Sequence, residues 1–258
     1  MMRIAVYQND GTIEDPRGQI ERLAETAARL SGTADLLVCS ELFLTGYNIG
    51  AAAIAELAET RDGASARAIM RIAQSTGMSI VCGFPERDGK QLYNAALCVD
   101  RTGELLACHR KLYLPNAYEQ SAFVPGDAFT LFRLGEVVVG VLICFDVEFP
   151  EAVRGCALRG AELVVAPTAL KKEWAWLATS LTRVRAFENG VYLAYANHAG
   201  TENDWDYCGF SCIVGPDGHD RARAGAKDEV IMAEISRSEI VTARATLPYL
   251  QLLRGDIG

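Results

Sequence analysis

Residues 137–151 read VVVGVLICFDVEFPE, and this stretch decides the fold class. Its first half is apolar and mostly β-branched, which predicts a strand buried on both faces of a sheet. Polar side chains then appear abruptly at Cys144, Asp146 and Glu148, and Pro150 suits the first turn of a helix. Open α/β sheets place their chemistry where a buried strand gives way to a helix. The stretch therefore predicts an α/β protein with a thiol at the functional edge of its sheet.

Strands and helices alternate upstream of this stretch. The first helix is predicted to begin at Asp15-Pro16, because aspartate is a favoured N-cap and proline a favoured first helical residue. Further helices are predicted at residues 51–57 and 65–76. The predicted strands cover residues 3–8, 34–39, 79–84, 92–99 and 105–110, and the last two form a hairpin. Residues 111–127 follow without obvious periodicity.

The alternation continues downstream. A helix is predicted at residues 151–159 and another at 173–187, which would carry Trp174, Leu177, Leu181 and Val184 on one face. A capping-box pattern at Ser236–Glu239 predicts a short helix near the C-terminus. The predicted strands cover residues 163–166, 192–197, 208–214 and 230–235, with a turn at 215–218 joining the last two. Such mixing, with hairpins among crossovers, predicts a layered α/β domain with a mixed sheet arrangement.

Composition excludes two classes of partner. The net charge is −8, the pI is about 5.0, and lysines and arginines are not clustered, so we expect no nucleic-acid partner. We also expect no membrane partner, because no apolar run approaches the roughly 18 residues of a membrane span. The N-terminal MMRIAVYQND lacks the pattern of a signal peptide. We therefore expect one domain, residues 1–258, in the cytoplasm.

The eight cysteines predict neither a disulfide framework nor a metal centre. Most of them lie inside apolar runs that read as strands, no C-x-x-C pair occurs, and the chain has only three histidines. A redox function is unsupported by the same spacing. Most of these residues are expected to be small buried hydrophobes, and we expect no metal and no cofactor.

Three polar residues, Glu41, Lys111 and Cys144, each follow a predicted strand and could converge at one edge. Singly, such residues usually face solvent or pack in the core. Together they suit nucleophilic acyl transfer: a thiol attacks, a carboxylate takes its proton, and an ammonium stabilises the oxyanion. The backbone amide of Phe145 is a second candidate donor to that oxyanion.

Three segments, SELFLTGY, RKLYLPNAYEQSAFVPGD and ICFDVEFPE, resemble the signature regions of the carbon–nitrogen hydrolase family, or nitrilase superfamily, in its amidase-like branch. Their order and spacing match, and the resemblance covers nearly the whole chain. It implies an αββα sandwich that pairs into an αββα–αββα dimer. It also implies a catalytic Glu–Lys–Cys triad at Glu41, Lys111 and Cys144, with Glu119 of the middle motif positioning substrate and lysine.

The implied activity is hydrolysis of a small amide through a cysteine thioester, with release of ammonia and a carboxylic acid and without metal or organic cofactor. A nitrilase or a carbamoyl hydrolase of the same family is an alternative. A different class of alternative is a binding protein that keeps the fold without catalysis, and the intact triad argues against it.

The resemblance also places Tyr47, Phe145 and Glu148, together with the segment after Pro167, along the substrate pocket. Carbamoyl-amino-acid hydrolases of the family tend to carry arginine near position 148. Glu148 there favours a neutral or cationic substrate, such as an amino amide. The competing interpretation is that the Glu148 carboxylate only pairs with Arg183, Arg185 or solvent.

His198 and the three tryptophans are further candidates for the pocket. His198 follows a predicted strand, and a lone histidine there is more often structural than catalytic. The tryptophans are expected to pack in the core rather than line the pocket, and they are Trp174, Trp176 and Trp205. The apolar tail, residues 247–258, suits packing across a partner subunit or, equally, on its own subunit.

Overall fold

Two six-stranded sheets form the centre of the molecule in the computed structural model, which describes residues 1–11 and 15–254. The first sheet has the order β14-β1-β2-β3-β4-β5, and its strands are β1 Met2–Gln8, β2 Leu36–Val38, β3 Ser79–Asp88, β4 Gln91–Val99, β5 Leu105–Arg110 and β14 Glu229–Ile235. The second has the order β13-β12-β9-β8-β7-β6, and its strands are β6 Thr130–Leu134, β7 Val137–Val141, β8 Leu163–Pro167, β9 Tyr192–Ala196, β12 Cys212–Val214 and β13 Asp220–Arg223.

Parallel pairs occupy the middle of each sheet, with antiparallel strands outside them. The parallel pairs are β1–β2, β2–β3, β7–β8 and β8–β9. A separate hairpin is formed by β10 Thr201–Glu202 and β11 Trp205–Asp206. The helices are α1 Pro16–Leu30, α2 Ala51–Leu57, α3 Ala64–Thr76, α4 Ala117–Ala122, α5 Pro150–Leu158, α6 Thr182–Asn189, α7 Arg237–Thr246 and α8 Tyr249–Leu252.

Alternation of side chains along the strands creates the layers. In β1, Ile4 and Val6 point into the core between the two sheets, whereas Ala5 and Tyr7 pack with α1 and α3. The second sheet behaves likewise, since its outer face packs against α5 and α6. The predicted αββα sandwich is therefore confirmed. Among residues 1–11 and 15–254, no helix is both long enough and apolar enough to span a membrane.

Most of the predicted strands and helices are confirmed, including the Asp15 cap, whose carboxylate accepts the backbone N–H groups of Arg17 and Gly18. The irregular segment 111–127 also contains α4, which the side chain of Asn116 caps. Four strands went unpredicted. The sequences of β6 and β13, TLFRL and DRAR, lack strong alternation, and β10 and β11 have only two residues each. As a result, the hairpin partner of β12 is β13, whereas β14 lies in the other sheet.

The predicted helix at 173–187 is wrong as a single element. A 3₁₀ turn at Lys172–Trp174 and a π turn at Leu177–Leu181 precede α6. Because a π turn rotates the residues that follow it relative to those before it, the predicted apolar face is split. Trp174 is 51% exposed and Val184 49%, while Leu177 is buried.

Two other predictions near the C-terminus are corrected. Strand 208–214 shortens to β12, because Gly209 and Phe210 have left-handed backbone angles. The capping box at Ser236–Glu239 does not form through its side chains: the Ser236 hydroxyl bonds that of Ser238, and the Glu239 carboxylate accepts the Tyr192 hydroxyl.

The tail forms α8 and packs on its own chain, where the ring of Tyr249 meets that of Phe187 at 5.9 Å between centroids. Residues 255–258 of the predicted tail lie outside the described residues. Leu252 remains 71% exposed. The dimer that the resemblance implies stays a prediction.

Gly83 of β3 allows the turn that follows β2 to approach the sheet closely. A Cβ atom at position 83 would lie 2.3 Å from the Ser40 carbonyl oxygen and 2.5 Å from the Leu42 nitrogen. Leu42 itself has φ of +48°, a left-handed value that is unusual outside glycine. Both groups in the way are backbone, so they cannot rotate aside as a side chain would.

We expect Gly83→Ala to lower the free energy of unfolding by about 3 kcal/mol, at the upper end of overpacking costs. The matched control is Gly77→Ala at the end of α3, where φ is +65° and a Cβ would have no neighbour within 4 Å. That control should lose only about 1 kcal/mol, for the left-handed backbone. Urea denaturation measures both, and equal losses would contradict the steric role of Gly83.

Candidate active site

Cys144 lies at a sharp turn between β7 and α5. It opens the 3₁₀ helix Cys144–Glu148 with φ of +46°, a left-handed value that costs a non-glycine residue roughly 1–2 kcal/mol. Such strain persists only where the surroundings hold it, and it is concentrated at functional sites. The cysteine is partly exposed and lines a cavity, whereas six of the eight cysteines are buried.

Asp146 holds this turn in place. Its buried carboxylate accepts the backbone N–H of Ile143 at 2.9 Å through Oδ2, and those of Leu112 and Tyr113 at 3.0 and 2.9 Å through Oδ1. One side chain therefore ties the cysteine turn to the loop that begins at Lys111. In the sequence, Asp146 stands out only as a polar residue after the strand, and the linear pattern gives no sign of these three contacts.

Lys111 is a fully buried ammonium held between two buried carboxylates. Its Nζ lies 2.6 Å from Glu41 Oε1 and 2.6 Å from Glu119 Oε1. Asn94 donates a further hydrogen bond to Glu41 Oε1 at 2.7 Å. Within the described chain, Glu41 Oε2 has no hydrogen-bond partner, so this oxygen is available as a proton acceptor.

The triad is assembled from three different strand ends. Glu41 follows β2, Lys111 follows β5 directly, and Cys144 follows β7. Two of these strands belong to the first sheet and one to the second, so the face-to-face packing of the sheets brings the residues together. This is the convergence that the sequence predicted. The charges of Glu41 and Lys111 both act on the cysteine thiol.

Burial controls the electrostatics of the triad. It raises the pKa of the Cys144 thiol well above its ordinary value; Glu41 adds to the rise, while Lys111 and the Ala169 backbone N–H oppose it. Burial also raises the pKa of Glu41, against the opposing charge of Lys111. For Lys111, burial works against the charged form, but the two glutamates outweigh it and raise its pKa. The thiol is therefore protonated at neutral pH and needs a base to become a nucleophile.

Tyr47 and Glu119 complete the polar core of the site. The Tyr47 hydroxyl donates to Glu119 Oε1 at 2.5 Å, the same oxygen that Lys111 contacts. Glu119 is positioned by α4, where its own N–H binds the side chain of Asn116. Glu119 therefore bridges Tyr47 and Lys111, while its role in positioning the substrate stays a prediction.

A cavity of about 690 Å³ opens above the sulfur. Three predicted pocket residues, Tyr47, Phe145 and Glu148, line it. Pro167 does not: it ends β8, pairs with Ala196 and lies in the sheet. The segment after it does line the cavity, and the other lining residues are Pro115, Asn116, Ala117, Tyr118, Cys144, Ala169, Leu170, Lys171, Glu173, Trp174, Leu177 and Trp205.

Two backbone N–H groups are placed near the reacting atom. Phe145 is the second residue of the 3₁₀ helix and precedes Asp146, whose N–H is the first to donate within this turn, so the Phe145 N–H is left without an intrahelical acceptor. The N–H of Ala169 lowers the pKa of the Cys144 thiol and so favours the thiolate. Sequence reasoning missed Ala169, since a backbone donor carries no side-chain signal.

The surroundings of Glu148 correct the interpretation that its carboxylate pairs with Arg183 or Arg185. Arg183 pairs with Asp220 at 2.5 Å, and Arg185 donates to the main-chain oxygens of Val147 and Glu148 at 2.9 and 2.6 Å. Neither arginine forms an ion pair with the Glu148 carboxylate within the described residues. Burial raises the pKa of Glu148, with Lys111 and then Arg185 opposing the rise.

His198 supports the backbone beside the Glu41 carboxylate. Its Nε2 lies 2.7 Å from the Glu41 carbonyl oxygen, and its Nδ1 lies 3.0 Å from Asn9 Nδ2. Burial lowers the pKa of His198, which keeps the ring neutral, so it donates through Nε2 and accepts at Nδ1. The structural placement expected of His198 agrees with these contacts.

The positions of the tryptophans correct the expectation that all three pack in the core. Trp174 and Trp205 line the cavity rather than the core, and Trp176 is 55% exposed. Lys171 places its ammonium 3.9 Å from the centre of the Trp205 ring, which itself packs against Tyr47. The outer wall of the cavity is therefore aromatic, with one cation on it.

Comparison with known proteins identifies the family to which this site belongs. The sequence profile of the carbon–nitrogen hydrolases matches residues 3–245. The chain belongs to the carbon–nitrogen hydrolase family. It is therefore a hydrolase that acts on carbon–nitrogen bonds, within the nitrilase superfamily.

Relatives of this carbon–nitrogen hydrolase differ in their names. A protein of Pseudomonas protegens, named as a hydrolase in the pqqF 5′ region, is 43% identical and covers 99% of this chain and 90% of its own. A nitrilase of Pyrococcus abyssi is 36% identical over 91% of this chain and 90% of its own.

The fold is shared with an amidase from Nesterenkonia sp. AN1. Its structure has a TM-score of 0.86 at 33% identity, covering 100% of this chain and 98% of the other. Structures of variants of that amidase have acrylamide, or the acetamide moiety of fluoroacetamide, added covalently at the active-site cysteine.

We expect Asp146→Ala to lower the free energy of unfolding by about 2–4 kcal/mol, because three backbone donors, one of them fully buried, would lose their acceptor. The matched control is Asp127→Ala, at an exposed position of the loop that Asp146 anchors, and it should change stability by less than about 0.5 kcal/mol. Thermal and urea unfolding measure both. A loss for Asp146→Ala no larger than for Asp127→Ala would contradict the anchoring role.

Proposed function

We propose that this hydrolase is an amidase that cleaves the C–N bond of a small amide and releases ammonia and a carboxylic acid. The observation that carries the proposal is the arrangement of charged groups around Cys144, which lines the cavity. There, a buried Lys111 bridges Glu41 and Glu119 beside the strained Cys144. A protonated thiol, a carboxylate with a free oxygen and a fixed cation are the three parts that cysteine-dependent acyl transfer needs.

The first half-reaction forms a thioester. Glu41 takes the thiol proton as Cys144 Sγ attacks the amide carbon, and the carbonyl oxygen becomes an oxyanion. The Lys111 ammonium and the Phe145 N–H stabilise that oxyanion. When the tetrahedral intermediate collapses, the C–N bond breaks and Glu41 returns its proton to the leaving ammonia.

The second half-reaction regenerates the thiol. Glu41 takes a proton from water, and the hydroxide attacks the thioester carbon through a second oxyanion at the same donors. Collapse expels the Cys144 thiolate, which recovers the proton from Glu41 as the carboxylic acid leaves. The raised pKa of Glu41 suits this repeated exchange, since a carboxylate of ordinary pKa would be a weaker base.

A nitrile is the main alternative substrate, because the same thiol could attack a nitrile carbon and the Pyrococcus abyssi relative is named a nitrilase. The likeness to the Nesterenkonia amidase, which spans this whole chain, favours the amide. A carbamoyl hydrolase is a weaker alternative, since Glu148 takes the place of the arginine expected there. A non-catalytic binding role is disfavoured by the intact triad.

The charge of the cavity suggests which amides fit. Glu148 is partly buried, lines the cavity and interacts with Lys111, the lysine that Glu41 and Glu119 also contact. An anionic group at this position would meet a like charge at close range, whereas an ammonium would be attracted. We infer that neutral amides and cationic amino amides are preferred over amides that carry a carboxylate near the reacting carbon.

Ammonia release from a panel of matched amides, nitriles and carbamoyl compounds tests the activity. We expect turnover of small amides, with Cys144→Ala losing at least about 1,000-fold because no other nucleophile replaces the sulfur. Cys108→Ala is the matched control, since Cys108 is the other partly exposed cysteine and lies in β5. Turnover of nitriles alone, or amide turnover that survives Cys144→Ala, would overturn the proposal.

Substrate charge is tested with Glu148→Gln. We expect the preference for a cationic amide over its carboxylate-bearing analogue, as a ratio of kcat/KM, to fall by roughly tenfold, equivalent to about 1.4 kcal/mol. Glu173→Gln is the control, because Glu173 also lines the cavity but is exposed. An unchanged ratio for Glu148→Gln, or an equal fall for both variants, would remove the inference.

A further inference from the structure

The hairpin of β10 and β11 belongs to neither main sheet, yet it carries a deeply buried carboxylate. Glu202 is 1% exposed. The backbone N–H of Tyr47 donates to its Oε1 at 2.9 Å and that of Asn48 to its Oε2 at 2.8 Å, while the Tyr207 hydroxyl donates to Oε2. Burial of a carboxylate is costly unless hydrogen bonds replace its water. Two consecutive backbone donors, 155 and 154 residues away in the chain, do so here.

The loop that binds Glu202 is shaped to receive it. Gly46, just before these donors, has φ of +85°, and a Cβ there would lie 2.1 Å from Glu202 Oε1. Only glycine permits both the left-handed backbone and the close approach of the carboxylate. The Thr45-Gly46-Tyr47 sequence of the first motif therefore has a structural reason beyond the tyrosine itself.

A continuous chain of contacts leads from Glu202 to the triad. Glu202 binds the backbone of Tyr47, and the Tyr47 hydroxyl binds Glu119 at 2.5 Å. Glu119 contacts Lys111 at 2.6 Å, and Lys111 contacts Glu41 at 2.6 Å. The backbone position of Tyr47 determines where its phenol meets Glu119. The hydrogen bond between that backbone and Glu202 therefore affects the position of Lys111.

The hairpin also forms one wall of the cavity. Trp205, on its second strand, lines the cavity and packs on the Tyr47 ring at 5.3 Å between centroids. Asn203 and Asp204, in the hairpin turn, hydrogen-bond Asn48 at 2.7 Å each. The hairpin and the loop at 46–48 are therefore joined at several points, with Glu202 as the buried contact among them.

We propose that Glu202 is a positioning residue that acts on Lys111 through Tyr47 and Glu119. Both carboxylate oxygens of Glu202 accept hydrogen bonds from protein donors, so we assign this side chain no contact with the substrate. This inference rests on the proposed amide hydrolysis. In this role the hairpin of β10 and β11 helps to orient Lys111, the proposed oxyanion donor, and also encloses the substrate.

The test compares Glu202→Ala and Glu202→Gln with the control Asp206→Ala. Asp206 is exposed on the same hairpin, and the Thr201 hydroxyl is the only donor to its carboxylate among the hydrogen bonds described. Its loss therefore leaves the contacts of Glu202 with the backbone of Tyr47 and Asn48 intact. We expect Glu202→Ala to lower kcat by roughly 10- to 100-fold, since displacements of about 1 Å can cost that much, with KM changed less than about threefold. Glu202→Gln keeps one acceptor oxygen and should recover part of the loss.

A double-mutant cycle separates positioning from general destabilisation. If Glu202 acts through Tyr47, Glu202→Ala should cost little further activity in a Tyr47→Phe background, where the link to Glu119 is already broken. Additive losses, or losses in kcat that merely follow the folded fraction measured by circular dichroism, would overturn the proposal. So would kcat of Glu202→Ala equal to that of Asp206→Ala.

A second readout keeps this result independent of the substrate. The rate at which iodoacetamide alkylates Cys144, followed by mass spectrometry, should fall in Glu202→Ala and not in Asp206→Ala. If the wild-type protein hydrolyses no amide but the alkylation rates still differ, the proposed function fails while the positioning role stands. If amides are hydrolysed and Glu202→Ala and Asp206→Ala both match the wild type in kcat and in the alkylation rate, only the positioning role fails.

Discussion

The buried ammonium of Lys111, held at 2.6 Å from each of two buried glutamates, is the interaction on which the rest of the site depends. Charges so far from water are tolerated only when they are paired, and removal of one partner would leave the others uncompensated. The two negative charges exceed the one positive charge. Burial raises the pKa of the Cys144 thiol and of Glu41, and neighbouring glutamates add to the rise while Lys111 opposes it, so the thiol is protonated in the resting site.

Such an arrangement requires a rigid scaffold, and the backbone supplies it at some cost. Leu42 and Cys144 both have left-handed backbone angles beside the reacting groups. Gly83 lets the first turn lie close to the sheet, and Asp146 ties the second to the lysine loop. His198 donates a hydrogen bond to the Glu41 carbonyl oxygen. Each contact joins segments that are distant in sequence, so the two sheets must be packed before the site exists.

Sequence reasoning predicted a large share of this architecture. The strand before Cys144 could be predicted because burial on both faces requires an unbroken apolar run, and Glu41 and Lys111 because they follow similar runs. Errors arose where local pattern and tertiary contact disagree. Trp174 and Val184 read as one helical face, yet a π turn separates them. Pro167 was placed in the pocket, but the cavity begins two residues later, at Ala169.

The sequence by itself determined the fold class, the residue types of the triad and the family, because hydrophobic periodicity and motif order are properties of the linear chain. Only the tertiary structure decided which atoms meet. The bridge from Glu119 to Tyr47, the Ala169 donor and the burial of Glu202 depend on segments brought together by packing of the sheets. Hydrogen bonds and pKa values depend on distances of a few ångströms and on exclusion of water, and a linear pattern specifies neither.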